Sequence, residues 1–152
     1  MKIVSFSMFE LCITPYYSST PLSWDGRTWL VAKPLSIRIT TENKYFEVNI
    51  KSGWVFDGGS IPDFYQIRAR SLGRGLFAFT VHDAFYGICL DGNRKLADEL
   101  LYSLLRYFNF GWSRAQAIYW SVRAGGSGYY KKTSEQIEEN GKYVKILTHD
   151  IK

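Results

Sequence analysis

The sequence predicts an α+β fold: an N-terminal antiparallel β-meander followed by a compact bundle of about three helices, with a short C-terminal strand. Three observations carry this. Between Ile37 and Lys51 apolar and polar side chains alternate with a period of two. From Gly75 onward apolar residues recur at helical spacing. Asp-Gly, Leu-Asp-Gly-Asn and Gly-Gly punctuate the segments between. The 152 residues are 46% hydrophobic, enough to bury a core in one domain and too few for two ordinary ones. Residues 1–56 (strand-rich), 61–125 (helical) and 131–152 (polar) therefore read as parts of a single domain, and a charged share of 22% argues against intrinsic disorder.

The opening run from Met1 to Phe9 reads as a strand, because Glu10 interrupts the apolar residues and no small-residue cleavage site follows, so no signal peptide is expected. Asp25-Gly26, between the aromatic flanks Trp24 and Trp29, reads as a hairpin turn. Ile37 and Ile39 alternate with Arg38 and Thr40, and after a turn near Glu42-Asn43 the residues Phe46, Val48 and Ile50 alternate with Glu47, Asn49 and Lys51. A first helix spans Gly75 to Cys89, too densely apolar for an exposed position and therefore central. A second runs from Arg94 to Phe108, with Asn93 as cap and Leu101, Leu104, Leu105 and Phe108 on its buried face. A third starts with Ser113 as cap and stops at Gly125-Gly126. Lys131 to Asn140 reads as a polar segment, and Tyr143 to Leu147 as the last strand.

Composition narrows the function. Nineteen Lys plus Arg against 14 Asp plus Glu give +5, but the bases are scattered, so an ordinary basic surface is favoured over nucleic-acid binding. Cys12 and Cys89 form neither a disulfide framework nor a metal motif and are expected as free thiols in a reducing interior. No stretch is long and apolar enough to span a bilayer, and a soluble protein is expected. Five Trp and eleven Tyr exceed what the core needs, so some rings should lie at a surface of the kind that suits glycans, membrane interfaces or protein partners.

The chemistry concentrates in Val81-His82-Asp83-Ala84-Phe85-Tyr86 and Leu96-Ala97-Asp98-Glu99-Leu100, where an imidazole and two carboxylates lie inside apolar helical segments. On a helix His82 and Asp83 flank the ridge of Phe79 and Tyr86. Asp98 shares a stripe with Leu101 and Leu105, and the short intervening turn makes the two helices antiparallel neighbours, so its carboxylate should point at the first helix. A carboxylate there fixes the imidazole tautomer and raises its basicity, as a general base requires. Asp83 would be available to a hard divalent cation, and Tyr86 to donate to Asp98. The alternative is a structural polar network in which His82 and Asp98 satisfy one another.

The run Gly53 to Asp63 contains Gly58-Gly59 and a Ser60/Asp63 capping spacing, which reads first as a strand-to-helix turn. Its functional reading is a loop offering Asp57 or carbonyl oxygens to a cation, or backbone amides to an oxyanion. As a phosphate loop it lacks the lysine and the glycine spacing. His149-Asp150 reads as a frayed end and Gly125 to Tyr130 as a helix stop and loop.

Phe56-Asp57-Gly58-Gly59-Ser60-Ile61-Pro62, Val81-His82-Asp83 with Tyr86, Ala97-Asp98, and Tyr119-Trp120 with Val122-Arg123 together resemble domain-of-unknown-function family 1353 (DUF1353), over roughly residues 45–126. That resemblance implies a phage or prophage origin and no particular activity. His-Asp-x-x-Tyr with a second Asp on the next helix also looks like the phospholipase A2 arrangement, which implies His82 as base, Asp83 as calcium ligand and Asp98, supported by Tyr86, as the group orienting His82. The chain departs from that arrangement in lacking its disulfide framework, and Asp57-Gly58-Gly59 lies further upstream than the usual calcium loop.

The reading that follows is a phage accessory protein in host cytoplasm or virion with a hydrolase-like site, in which His82, Asp98 and Tyr86 are catalytic and Asp83 with Asp57 holds a divalent cation such as calcium. Its substrate would be a membrane or cell-envelope ester or lipid. The rival reading is a non-enzymatic virion component or a host-interaction, anti-defence protein with a virion or host protein as partner.

Overall fold

The structure, a computed structural model, describes residues 1–9, 13–15, 28–56 and 74–151. Strands β1 (Ile3–Phe9), β4 (Leu35–Thr41), β5 (Lys44–Ile50) and β7 (Val144–Asp150) form a four-stranded antiparallel sheet in the order β1-β4-β5-β7, and β2 (Ile13–Pro15), β3 (Trp29–Val31) and β6 (Val55–Phe56) form a three-stranded one. Helices α1 (Arg74–Gly87), α2 (Arg94–Tyr107), α3 (Trp112–Gly125), a single turn α4 (Ser127–Tyr130) and α5 (Ser134–Gly141) lie between β6 and β7 in the chain. The α+β class follows from this arrangement.

The alternation in β4 and β5 does what its period dictates. Leu35, Ile37 and Ile39 face Ile50, Val48 and Phe46 across the ladder, all buried, while Arg38 and Glu47 pair on the other face. Thr41 closes the turn at Glu42-Asn43, its hydroxyl bonding both the N–H and the C=O of Lys44. The sheet's buried face receives α1 through Phe46 and Phe85, whose rings meet edge to face at 5.6 Å.

Helix α1 is buried on nearly every side, which explains its lack of a polar face. A short turn of 3-10 helix (Leu90–Gly92) follows, and Asn93 caps α2 as expected, its side chain accepting from the Leu96 N–H at 3.0 Å. The C-terminus of α2 is closed by Asn109 in the left-handed region at φ 65°. The Asn109 N–H reaches the Arg106 carbonyl and the Phe110 N–H the Leu105 carbonyl, the two bonds of a Schellman motif. Because the chain re-enters helix directly after that motif, α3 begins at Trp112 with Gly111 at the cap, and Ser113 is already inside it rather than capping it.

Three further expectations change. The polar segment 131–140 contains α5, started by a complete capping box between Thr133 and Gln136. Ser127–Tyr130 is a helical turn instead of a plain loop. The last strand is longer than 143–147 and His149-Asp150 is not frayed: the His149 ring stacks on Tyr45 at 4.3 Å, Asp150 lies 3.5 Å from Lys44, and the Ile151 N–H bonds the Asn43 carbonyl. Cys89 is a free thiol, its Sγ donating to the Tyr130 carbonyl. Asp25-Gly26, Cys12 and the glycine-rich run 57–63 lie outside the described residues. No helix among the described residues is long and apolar enough to cross a membrane.

Candidate active site

Helices α1 and α2 run antiparallel about the turn at Leu90, and residues placed symmetrically about that turn meet. His82, 2% exposed, and Asp98, fully buried, stand one on each side of it. His82 Nε2 lies 2.9 Å from Asp98 Oδ1, and the Tyr86 hydroxyl donates to the same oxygen at 2.6 Å. Tyr86, one turn beyond His82, also packs its ring on the imidazole, with centroids 4.1 Å apart. Asp83 Oδ1 is 3.5 Å from His82 Nδ1. The structure therefore brings together His82, Asp83, Tyr86 and Asp98. Asp57 falls outside the described residues.

One participant was missed by sequence reasoning. Arg123, from the last turn of α3, donates through Nη1 to Asp98 Oδ2 at 2.8 Å. No local spacing signalled it: Asp98 and Arg123 stand at unequal distances either side of the Asn109 turn, and only the packing of α3 against α2 brings them together. Behind Arg123, Arg94 Nη2 donates to the Arg123 carbonyl at 3.1 Å, so the cation that holds Asp98 is itself held through its backbone. Gly126 completes this wall. A β-carbon there would stand 2.6 Å from the Tyr86 hydroxyl and 2.5 Å from the Val122 carbonyl, so the hydroxyl occupies the space a side chain would need.

Asp98 thus accepts from three donors. Burial alone would push its pKa up, but the bonds from His82, Tyr86 and Arg123 outweigh burial and hold it below the usual carboxylate range. An ionised carboxylate can only accept, so Nε2 must carry a proton and neutral His82 has its lone pair on Nδ1. For His82, burial favours the neutral ring, but Asp83 and Asp98 together overcome it and raise the pKa above the ordinary value. Burial, then the Asp98 bond, push the Tyr86 phenol up, so it remains a donor. The arrangement supplies an oriented imidazole with a defined tautomer, which is what proton abstraction at Nδ1 demands.

A calcium cage needs six to eight oxygens. Among the described residues no group of three or more His, Cys, Asp or Glu converges to hold a metal ion.

The model of a family described as "Protein of unknown function (DUF1353)" matches residues 29–122, more than half the chain and including every member of this cluster but Arg123. The chain belongs to the DUF1353 family. No curated protein and no solved structure matches it. Within this DUF1353 chain the matched span runs from β3 through most of α3 and ends one residue short of Arg123.

Proposed function

We propose that this DUF1353 protein is a phage or prophage accessory protein whose His82 cluster is a hydrolytic site acting on an ester, with lipid and cell-envelope esters as the substrate class. The observation that carries the reading is the placement of His82 Nε2 against an ionised Asp98, which leaves Nδ1 as the basic nitrogen, 3.5 Å from Asp83 Oδ1. In the reaction Nδ1 takes a proton from water as the water oxygen adds to the ester carbonyl. The imidazolium, stabilised by Asp98, then returns that proton to the departing alkoxide as the C–O bond breaks. Asp98 and Tyr86 position the ring, and no step is routed through a metal.

The test is a screen of phospholipid, short-chain ester and peptidoglycan substrates with wild type, His82→Gln and Asp83→Asn. Turnover that vanishes in His82→Gln, while circular dichroism shows that variant folded like wild type, is the expected result. Absence of His82-dependent turnover across the panel overturns the reading.

A second reading is favoured by the near-complete burial of His82 and Asp98. In it the cluster is a clamp joining three helices, and the protein is a virion component or an anti-defence, host-interaction protein. Its contact would be the exposed rings of Trp112 and Trp120, 62% and 63% accessible. Loss of stability without any loss of turnover in His82→Gln selects this reading.

A further inference from the structure

At the end of the four-stranded sheet opposite the β4–β5 turn, the start of β4, the end of β5 and the start of β7 surround a cavity of about 460 Å³. That volume is in the range of small-molecule sites. Its accessible apolar surface comes from the exposed Pro34 and the half-buried Tyr143 ring, while Leu35, Ile50 and Val144, paired neighbours across β4, β5 and β7 and nearly fully buried, back it from the core side. The backbone there is fixed: the Lys51 N–H donates to the Tyr143 carbonyl at 2.8 Å, tying the chain after β5 to the turn before β7. Ser36 and Asn49, opposite one another in the ladder, bond side chain to side chain at 2.9 Å and form a polar patch on the wall.

Among the described residues the charges on this cavity are all of one sign: Lys51, Lys142 and Lys145 line it, and no described aspartate or glutamate does. Lys142 is held by Glu139 at 2.5 Å, whereas Lys51 and Lys145, both exposed, have no ion-pair partner among the described residues. An apolar recess with two uncompensated ammonium groups matches a ligand that is apolar at one end and anionic at the other. The geometry points to a binding site here for a small amphipathic organic anion, an aromatic or aliphatic carboxylate whose body fills the recess while its charge meets Lys51 and Lys145. The site shares no residue with the His82 cluster and stands independently of the hydrolytic reading.

The test uses 1-naphthaleneacetate, its neutral isostere 1-naphthaleneacetamide, and acetate, titrated into the full chain and followed by amide and lysine NMR shifts. Saturable one-to-one binding of the naphthaleneacetate, with shifts at Lys51, Tyr143 and Lys145, is expected. Loss of two exposed ion pairs in Lys51→Gln/Lys145→Gln should weaken it about tenfold. Ser36→Trp, which fills the recess from an exposed position with both lysines intact, should abolish it. Equal binding of the amide overturns the anion selectivity, equal binding of acetate overturns the role of the recess, and non-saturable shifts or indifference to both variants overturn the site.

Discussion

Arg123 donates to Asp98 from a third helix, bonding the one carboxylate oxygen that His82 and Tyr86 leave unoccupied. The buried anion is thus shared among α1, α2 and α3, and removal of any donor leaves charge in an apolar setting. Removing one partner of such a network is costly even where the intact network contributes little net stability.

Arg123→Met tests this most directly. A hydrogen bond to a charged group contributes about 1.5–3 kcal/mol, and the partial exposure of Arg123 places the loss toward the lower end. Urea denaturation should show a lower midpoint with an unchanged slope. Arg123→Lys should recover part of the loss, because charge is retained while the planar donor geometry is not.

Gly126→Ala should destabilise for a steric reason. Its φ of −77° suits any residue, so backbone strain is not the source, and the added methyl collides with the Tyr86 hydroxyl and the Val122 carbonyl. Tyr86→Phe removes one of these obstacles. In a double-mutant cycle the pair should therefore be less destabilised than the sum of the single variants, and strict additivity would contradict the packing described.

The pH dependence has two limbs. Asp98 has a depressed pKa in the folded protein, so its stabilising contribution is present above the unfolded value of about 3.9 and is lost as pH falls through the lower folded value. His82 has a raised pKa, so its contribution is complete below about 6.5 and is lost as pH rises through the folded value. The groups facing the imidazole are Asp83, Tyr86 and Asp98, with Arg123 behind Asp98 and Arg94 behind Arg123. Stability should be greatest between the two limbs, and His82→Gln should flatten the alkaline one in thermal melts. Hydrolysis should run the other way, rising with pH as Nδ1 is freed.

At the C-terminus of α2, Asn109→Val should cost about 1–2 kcal/mol, because a β-branched residue resists the left-handed region, whereas Asn109→Gly should be neutral or slightly stabilising. Thermal melts of the two variants beside wild type decide it.

Much of this was legible because it depends on short-range periodicity. The two-residue alternation of β4 and β5, the Asn93 cap and the His82–Asp98 approach follow from spacing and from one tight turn. Arg123 and Gly126 were not legible, since their roles come from how a third helix packs, and no local spacing joins residue 123 to residue 98. Helix α5 was missed for a different reason. It has no buried residues, so it lacks an apolar stripe, and only the Thr133/Gln136 capping pair marks it. The register of β7 depends on a strand almost a hundred residues earlier in the chain, beyond the reach of pattern reading.

That last pairing governs the order in which the molecule can be built. Until residues 144–150 have left the ribosome, β5 presents an open row of backbone donors and acceptors along one side, and the apolar row of Leu35 and Ile50 lacks Val144. Closing the sheet also encloses the helices in a long loop, so the closing contacts are non-local and slow to form. A nascent chain halted before β7 would present β5, a central strand in the finished molecule, as the edge of its sheet, the position that β7 takes once it pairs.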